Sequence, residues 1–495
     1  MSRMLLSMFS LSVAKRSASL AVALALIVVS LGCGASSVEA DATTTDEVNR
    51  ELHSDIIGSV ADRAPDLLSS YIRIDTVNPP GNEIAGARFL AELLEAEGIS
   101  TQIFEPEAGR GSLVARLPGN GSKPPIVLLS HIDVVPAAAE LWSHPPFEGL
   151  IVDGAVHGRG ALDAKGVGIT HVLALIALKR MGVVLDRDII VMATADEETG
   201  GRLGVGWLLE NQFPMVADVE FVLNEGGFIR RSEGRPLIYN MNAGEKGPCW
   251  FKVVASGDPG HGSRPAADTA VTRLVTALAR LADWERPISV GPVVAGYYAA
   301  YAALDEEHAR QFRQLARSLE DPVFREWFMS DPIAAALVQD TLAPTVLLGS
   351  SKTNIVPAEA SAEIDSRLLP GHDCGEFLDE VRGLIGNEFV RVVEGSVRFP
   401  SSQSPLDNSL TEAVETVAAG DAASSVVLPG LQTGFTDSHY FREKGIASYG
   451  FVPIVVSNAE RVAIHGPNER VQVEDLRAGV VRMVEILTEV GRGMQ

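Results

Sequence analysis

Through the first half of the chain, short apolar runs rich in β-branched residues alternate with longer stretches of helical periodicity. "PIVLLSH" (125–131), "RDIIVMAT" (187–194) and "VEFVLNEGG" (219–227) are apolar runs of strand length, the pattern of strands buried on both faces. "AGARFLAELLEAEGI" (85–99) instead spaces its apolar residues by three and four and stops at Gly98, which marks an amphipathic helix. Residues 51–73 read as a helix halted by the turn "DTVNPPGNE" (75–83), with "GITHVLALIALKRMG" (168–182) and "GVGWLLENQF" (204–213) as further helical segments. Strands alternating with helices predict an α/β fold, a mostly parallel sheet with helices on both faces.

The pattern changes after "GEKGP" (244–248). "CWFKVVASG" (249–257) and "SAEIDSRLLP" (361–370) alternate, as half-exposed antiparallel strands do. They are interleaved with two helices, "AADTAVTRLVTALARLADW" (266–284) and "CGEFLDEVRGLIG" (374–386), and a third strand-like run, "VRVVEGSVRFP" (390–400). This predicts a small α+β domain over 246–402, interrupted by a helical insertion at 292–342 and set into a larger domain made of 51–245 and 403–495.

Composition narrows the class. A chain of 495 residues with 46% hydrophobic and 21% charged residues is globular and long enough for two domains. Its net charge of −23 excludes a nucleic-acid binder, which needs basic patches. The first 33 residues carry Arg3, Lys15 and Arg16, no acid, and then "AVALALIVVSLG", the layout of a secretory signal. They predict export: periplasmic, secreted or membrane-anchored. Cys33 after Gly32 resembles a bacterial lipoprotein cleavage site, although Ser30 stands where that pattern prefers Leu. Lipidation with a membrane tether, cleavage nearby (for instance after "SVEA") and an uncleaved anchor all stay open. Residues 34–50 read as a polar tether. Only Cys249 and Cys374 follow, too few for a disulfide framework and outside any C-x-x-C spacing, so both are read as core packing.

Any metal chemistry therefore rests on His and carboxylates. In open α/β sheets, ligands gather beyond the carboxyl ends of the strands. Three predicted strand ends carry such groups: "LLSHID" with His131 and Asp133, "MATADEE" with Glu197 and Glu198, and "VLNEGG" with Glu225. "HGRGALDAKG" adds Asp163 in a Gly-rich turn opening a helix. Singly, each has a bland explanation: a packed histidine, a helix cap, a solvated loop. Together they converge on one crevice, where several carboxylates stay ionised only around a cation. A His/Asp/Glu set without cysteine suits one or two divalent metals, zinc first.

The motifs "IRIDTVNPPGNE", "SHIDVVPAAAELWSHPPFEG", "DGAVHGRGALDAKG", "DEETGG", "NEGG", "GHGSRP", "TNIVP", "DSRLLPG" and "HGPNE" run in this order over residues 71–470. In this the chain resembles metallopeptidase family twenty, which includes aminoacylase-1, carboxypeptidase S, glutamate carboxypeptidase, acetylornithine deacetylase and succinyl-diaminopimelate desuccinylase. The wording of "HIDVVP" and "GRGALDAK" is nearest the carboxypeptidase S and aminoacylase branch.

The resemblance implies a zinc-exopeptidase fold whose inserted α+β unit is a lid and dimerisation domain. It implies two zinc ions, with cobalt or manganese as substitutes, bridged by Asp163. His131 and Glu225 would complete one site, Glu198 and His465 the other. Asp133 would orient the His131 imidazole, and Glu197 would be the general base. His261 of "GHGSRP" would stabilise the oxyanion, arriving from the partner subunit in dimeric relatives. Asn354 and Arg367 would hold the substrate carboxylate.

The implied reaction is hydrolysis of the amide of an N-acyl amino acid or short peptide with a free carboxylate. A deacylase of acetylornithine or succinyl-diaminopimelate type and a catalytically silent binding protein are the alternatives. The export signal weighs against the first, and Glu197 against the second. Oligomeric state stays open between a homodimer and a monomer with an enlarged lid. His144, His157 and His171 match no ligand position and read as packing or surface residues, while His439 of "TDSHYF" is ambiguous. Ala164 departs from the family, which frequently has a second Asp there.

Overall fold

A computed structural model describes residues 40–491, with side chains from Arg50 onward. The export segment, Cys33 and residues 34–39 lie outside the described residues. Residues expected as the end of a tether are helical from Ala40, and the helix expected over 51–73 is two, Ala40–Ala61 and Ala64–Ile72. Pro65 opens the second, where its missing N–H leaves no bond unmade.

The predicted parallel strands form the middle of a nine-stranded sheet. Ile126–His131 pairs in parallel with Ile189–Thr194 on one side and Phe221–Arg230 on the other, and Phe221–Arg230 pairs in parallel with Ala447–Val456. Thr101–Phe104 and Ser112–Leu117 add antiparallel strands at one edge, and Ile238–Glu245 meets Ala447–Val456 antiparallel toward the other. Alternate side chains serve two cores, as the pleat requires. Ile126, Leu128, Ile189 and Val191 face the helices Lys165–Met181 and Val473–Gly491. Val127, Leu129, Ile190 and Met192 face Leu208, Leu209 and Phe441. Double-sided burial is why these strands read as continuous apolar runs.

The inserted unit is a four-stranded antiparallel sheet in the order Thr341–Leu348, Glu359–Leu368, Gly247–Ser256, Val390–Arg398. Helices Ala270–Ala282 and Cys374–Ile385 pack against its inner face of Phe251, Val253 and Ala255. Three features differ from the sequence reading. Thr341–Leu348, partly assigned to the helical insertion, is an edge strand whose Pro344 sits beside a register shift, a position that tolerates the missing N–H. The helices of the insertion, from Pro292–Tyr301 to Pro332–Val338, do not enlarge the lid. Val293, Val294, Tyr298 and Phe328 join the core of the larger domain, against the strand Val426–Gln432. Cys249 and Cys374 are not merely packed: they form a disulfide with Cα atoms 5.7 Å apart. A separation of 125 residues hid a proximity that only the tertiary fold creates.

His171 is fully buried on the helix Lys165–Met181, and neither ring nitrogen has a hydrogen-bond partner. Burial pushes its pKa down to about 3 from 6.5. Unfolding below pH 6.5 therefore takes up a proton that the native state excludes, and stability falls as pH drops from 6.5 toward 3. His171→Leu should stabilise the protein more at pH 5 than at pH 7.5, by about 2 kcal/mol more. Denaturant midpoints at the two pH values check this; equal gains would refute it.

Candidate metal centre

Strand geometry delivers the first ligands. His131 is the last residue of its strand, and Thr194 is the last of the neighbouring one. The chain then turns through Asp196, in the left-handed region at φ 77°, into the short helical turn Glu197–Thr199. Glu225 lies within Phe221–Arg230, and Asp163 lies in the loop just before Lys165–Met181. His465, also left-handed at φ 59°, follows the helix Asn458–Ala463.

These groups meet. Asp163 divides its carboxylate: Oδ1 is 2.8 Å from His131 Nε2, and Oδ2 is 3.1 Å from His465 Nε2. Glu225 Oε2 stands 3.4 Å from His131 Nε2, and Glu198 Oε1 stands 3.2 Å from His465 Nε2. Proximity alone also groups His131, Asp163 and Glu198, or His131, Glu197 and Glu225, within 4.8 Å. The direct contacts separate better, into His131/Asp163/Glu225 and His465/Asp163/Glu198, because Asp163 presents one oxygen to each histidine.

The electrostatics fit a cationic occupant. Burial, then repulsion from Glu225, pushes Glu197 well above the ordinary carboxylate range. Burial pushes Glu225 to about 7, against the attraction of His131, and raises Asp437 as well. For Asp163, hydrogen bonds from His131 and His465 outweigh burial and hold the carboxyl down. Its hydrogen bonds to Asp163 and Glu198 raise His465 to about 10. Against its burial, Glu225, Asp133 and Asp163 hold His131 above the ordinary imidazole range as well, so both rings lie where divalent ions, replacing protons, would be favoured. Two imidazoles and three carboxylates, with no thiolate, are a donor set that zinc, cobalt or manganese accept.

Asp133 stands beside the His131 ring with both its carbonyl and its carboxylate. Its main-chain carbonyl, 2.9 Å from His131 Nδ1, accepts that N–H and orients the ring, whereas its carboxylate Oδ1 is 3.6 Å away. The carboxylate also accepts the amides of Glu197 at 3.2 Å and Glu198 at 3.1 Å, together with Asn78 Nδ2 at 2.8 Å. It shapes the turn that carries both glutamates.

A cavity of about 780 Å³ opens over the centre, lined by Asp163, Glu197, Glu198, Glu225 and His465. Trp250, Phe399, Phe435 and Tyr440 supply its aromatic walls. His439 lines it too, its ring stacked on Phe399 at 3.7 Å. His261, Asn354 and Arg367 are not among its lining residues. His261 and Asn354 are exposed neighbours on the lid, where Gly262 N–H donates to the Asn354 carbonyl at 2.8 Å. Arg367 is engaged by Asp365 through two bonds of 2.7 and 3.0 Å. His144 and His157 pair edge to face at 4.7 Å, with no part in the centre.

Sequence reasoning passed over two supports. Glu469 is fully buried, 2.6 Å from Arg159, and accepts the amides of Leu162 at 2.8 Å and Asp163 at 3.1 Å. It fastens the His465 loop to the Asp163 loop. Both residues stood inside quoted motifs, "HGPNE" and "HGRG". Arg110 joins Glu83 at 2.8 Å to Asp196 at 2.8 Å, bracing the turn of the paired glutamates. No local pattern signals that contact.

The model for peptidase family M20/M25/M40 matches residues 127–489. The chain belongs to this family. The N-fatty-acyl-amino acid synthase/hydrolase PM20D1 of Xenopus tropicalis is 30% identical over 369 residues, covering 73% of this chain and 72% of that protein. Aminoacylase-1 of Sus scrofa is 29% identical over 434 residues, covering 86% and 93%. The M20 family metallo-carboxypeptidase Sso-CP2 from Sulfolobus solfataricus shares the fold with a TM-score of 0.66 at 18% identity, covering 86% of this chain and 98% of that one. The chain is a hydrolytic enzyme of the M20 metallopeptidase and aminoacylase kind.

Replacing Glu469 by Gln leaves the Arg159 guanidinium buried without its anion. Breaking such a pair costs about 3–5 kcal/mol. Glu469→Gln should lower stability by that order and reduce metal retention; unchanged denaturant midpoints would dismiss the clamp.

Proposed function

We propose that this M20 enzyme is an exported di-zinc amidohydrolase that cleaves N-acyl amino acids or short peptides bearing a free carboxylate. The observation that carries the reading is the carboxylate of Asp163 divided between His131 and His465, with Glu197 beside it in the cavity. His131, Asp163 and Glu225 would hold one ion, and Glu198, Asp163 and His465 the other. Two such ions supply Lewis acidity, polarising an amide carbonyl and acidifying water. Glu197 takes the proton of the attacking water and returns it to the leaving amine. The aromatic walls favour an apolar acyl group or side chain. The relatives named for N-fatty-acyl-amino acids and for aminoacylase activity support this substrate class. The buried Cys249–Cys374 disulfide accords with export to an oxidising compartment.

Zinc-loaded protein should hydrolyse members of an N-acyl amino acid and dipeptide panel, and chelation should abolish the activity. Glu197→Gln should lower kcat at least 10²-fold, the scale of general-base catalysis, with zinc content unchanged. Loss of zinc in that variant would reassign Glu197 as a ligand, and inactivity across the panel would refute the reading.

His261 enters this scheme from a second copy. The lid exposes Val271, Val275, Leu347, Leu348 and Ile355, with Gly349 lying against Val271. These apolar side chains suit a homodimer contact. Light scattering should give twice the chain mass, and Val275→Asp should halve it and depress activity. A wild-type monomer of full activity would rule the arrangement out.

A further inference from the structure

A substrate with a free carboxylate enters a cavity whose lining is already strongly anionic. Asp163, Glu197, Glu198, Glu225 and Glu443 all face it. Bound divalent ions would offset the four nearest the centre, and a further substrate anion would still need a cation of its own. Arg367, which the family resemblance assigns to this task, packs against the Trp250 and Phe435 rings of the wall but is engaged by Asp365 through two bonds and is not itself a lining residue. Asn354 is exposed on the lid beside His261.

Among the described residues, the guanidinium groups lining the cavity are those of Arg202 and Arg398. Arg398 donates to Glu394 at 2.9 Å. Arg202 has no carboxylate partner within ion-pair distance, and its side chain is exposed. The backbone that carries it is firmly held. Gly201 lies in the left-handed region at φ 67°, its N–H donating to the Asp196 carbonyl at 2.7 Å. A Cβ there would fall 1.9 Å from an Asp437 carboxylate oxygen, so the close approach needs glycine. On the other side, Leu203 N–H donates to Asp196 Oδ2 at 2.9 Å. Asp196 thus pins both neighbours of Arg202 and immediately precedes the paired glutamates. A mobile guanidinium is rooted at a fixed place relative to Glu197 and Glu198, on the rim of the same cavity.

We propose that Arg202 anchors the substrate's carboxylate within one subunit, a specificity role that rests on the amidohydrolase reading above. A planar fork of donors suits a carboxylate, and Arg202 needs no lid movement to be available. The class selected is an N-acyl amino acid or peptide with an ionised carboxylate, ahead of its neutral amide.

The test compares N-octanoyl-leucine with N-octanoyl-leucinamide on zinc-loaded, full-length protein. In Arg202→Met the acid-to-amide ratio of kcat/KM should fall about 10- to 100-fold, the scale of a charge-assisted hydrogen bond. Arg202→Lys should recover part of it. An unchanged ratio, or an Arg367→Met variant that lowers the ratio while Arg202→Met does not, overturns the proposal. Calorimetric binding of the acid to Glu197→Gln protein, with and without Arg202→Met, reads the same contact without turnover. A 10- to 100-fold weakening supports the anchor, and equal affinities overturn it. If wild-type protein hydrolyses neither compound yet the binding difference appears, the hydrolase reading fails for this substrate class while the anchor stands.

Discussion

The division of the Asp163 carboxylate between two histidines is the contact on which the centre depends. Asp163 comes from a loop, His131 from a strand end and His465 from a loop more than 300 residues further along the chain. Each brings a further carboxylate with it, and in a poorly solvated crevice those anions repel one another. Positive charge placed between them, or protonation of some of them, offsets that repulsion. His131 and His465, both held above the ordinary imidazole range by these carboxylates, mark where positive charge is favoured, and divalent ions bound there would replace their protons. The raised proton affinity of Glu197, Glu225 and Asp437 is the same constraint seen from the anionic side.

Rigidity around this contact comes from carboxylates that bind backbone rather than metal. Asp133 accepts the amides of Glu197 and Glu198; Glu469 accepts those of Gly160, Leu162 and Asp163. Both are fully buried, and each draws a loop into one shape by satisfying N–H groups that no helix or strand would satisfy. The ligand loops are irregular, yet their geometry is as constrained as that of secondary structure. Arg159 and Arg110 then balance the buried acids from behind.

This layering explains what was legible in the sequence. Strands buried on both faces write themselves as apolar runs, so the central sheet and the candidate site residues at its ends, His131, Glu197, Glu198 and Glu225, were readable from periodicity and chemistry. His465 and the bridging role of Asp163 came only through family resemblance, because a contact between distant loops leaves no local pattern. The same blindness hid the Cys249–Cys374 bond and the docking of the 292–338 helices on the larger domain. Asp133 was recognised beside His131 from its place in the motif; that its carbonyl also meets the ring and its carboxylate also holds the Glu197 and Glu198 amides is not written in the spacing.

Arg367 shows how a motif residue acquires a second meaning in context. Its guanidinium lies 5.4 Å from the Trp250 ring on the lid and 5.1 Å from the Phe435 ring of the larger domain. From Phe435 the contacts continue through Phe399 at 4.8 Å to His439 at 3.7 Å and Tyr440 at 3.9 Å. Tyr440 Oη finally donates to the Gly200 carbonyl at 2.8 Å, at the end of the turn that carries Glu197 and Glu198. One run of contacts therefore joins the inserted sheet to that turn, and its members Trp250, Phe435, Phe399, His439 and Tyr440 line the cavity. Offset aromatic and cation–π contacts contribute about 0.5–1.5 kcal/mol each, so the run from Trp250 to Tyr440 ties the inserted sheet to the turn of Glu197 and Glu198 through several small contacts rather than one strong one.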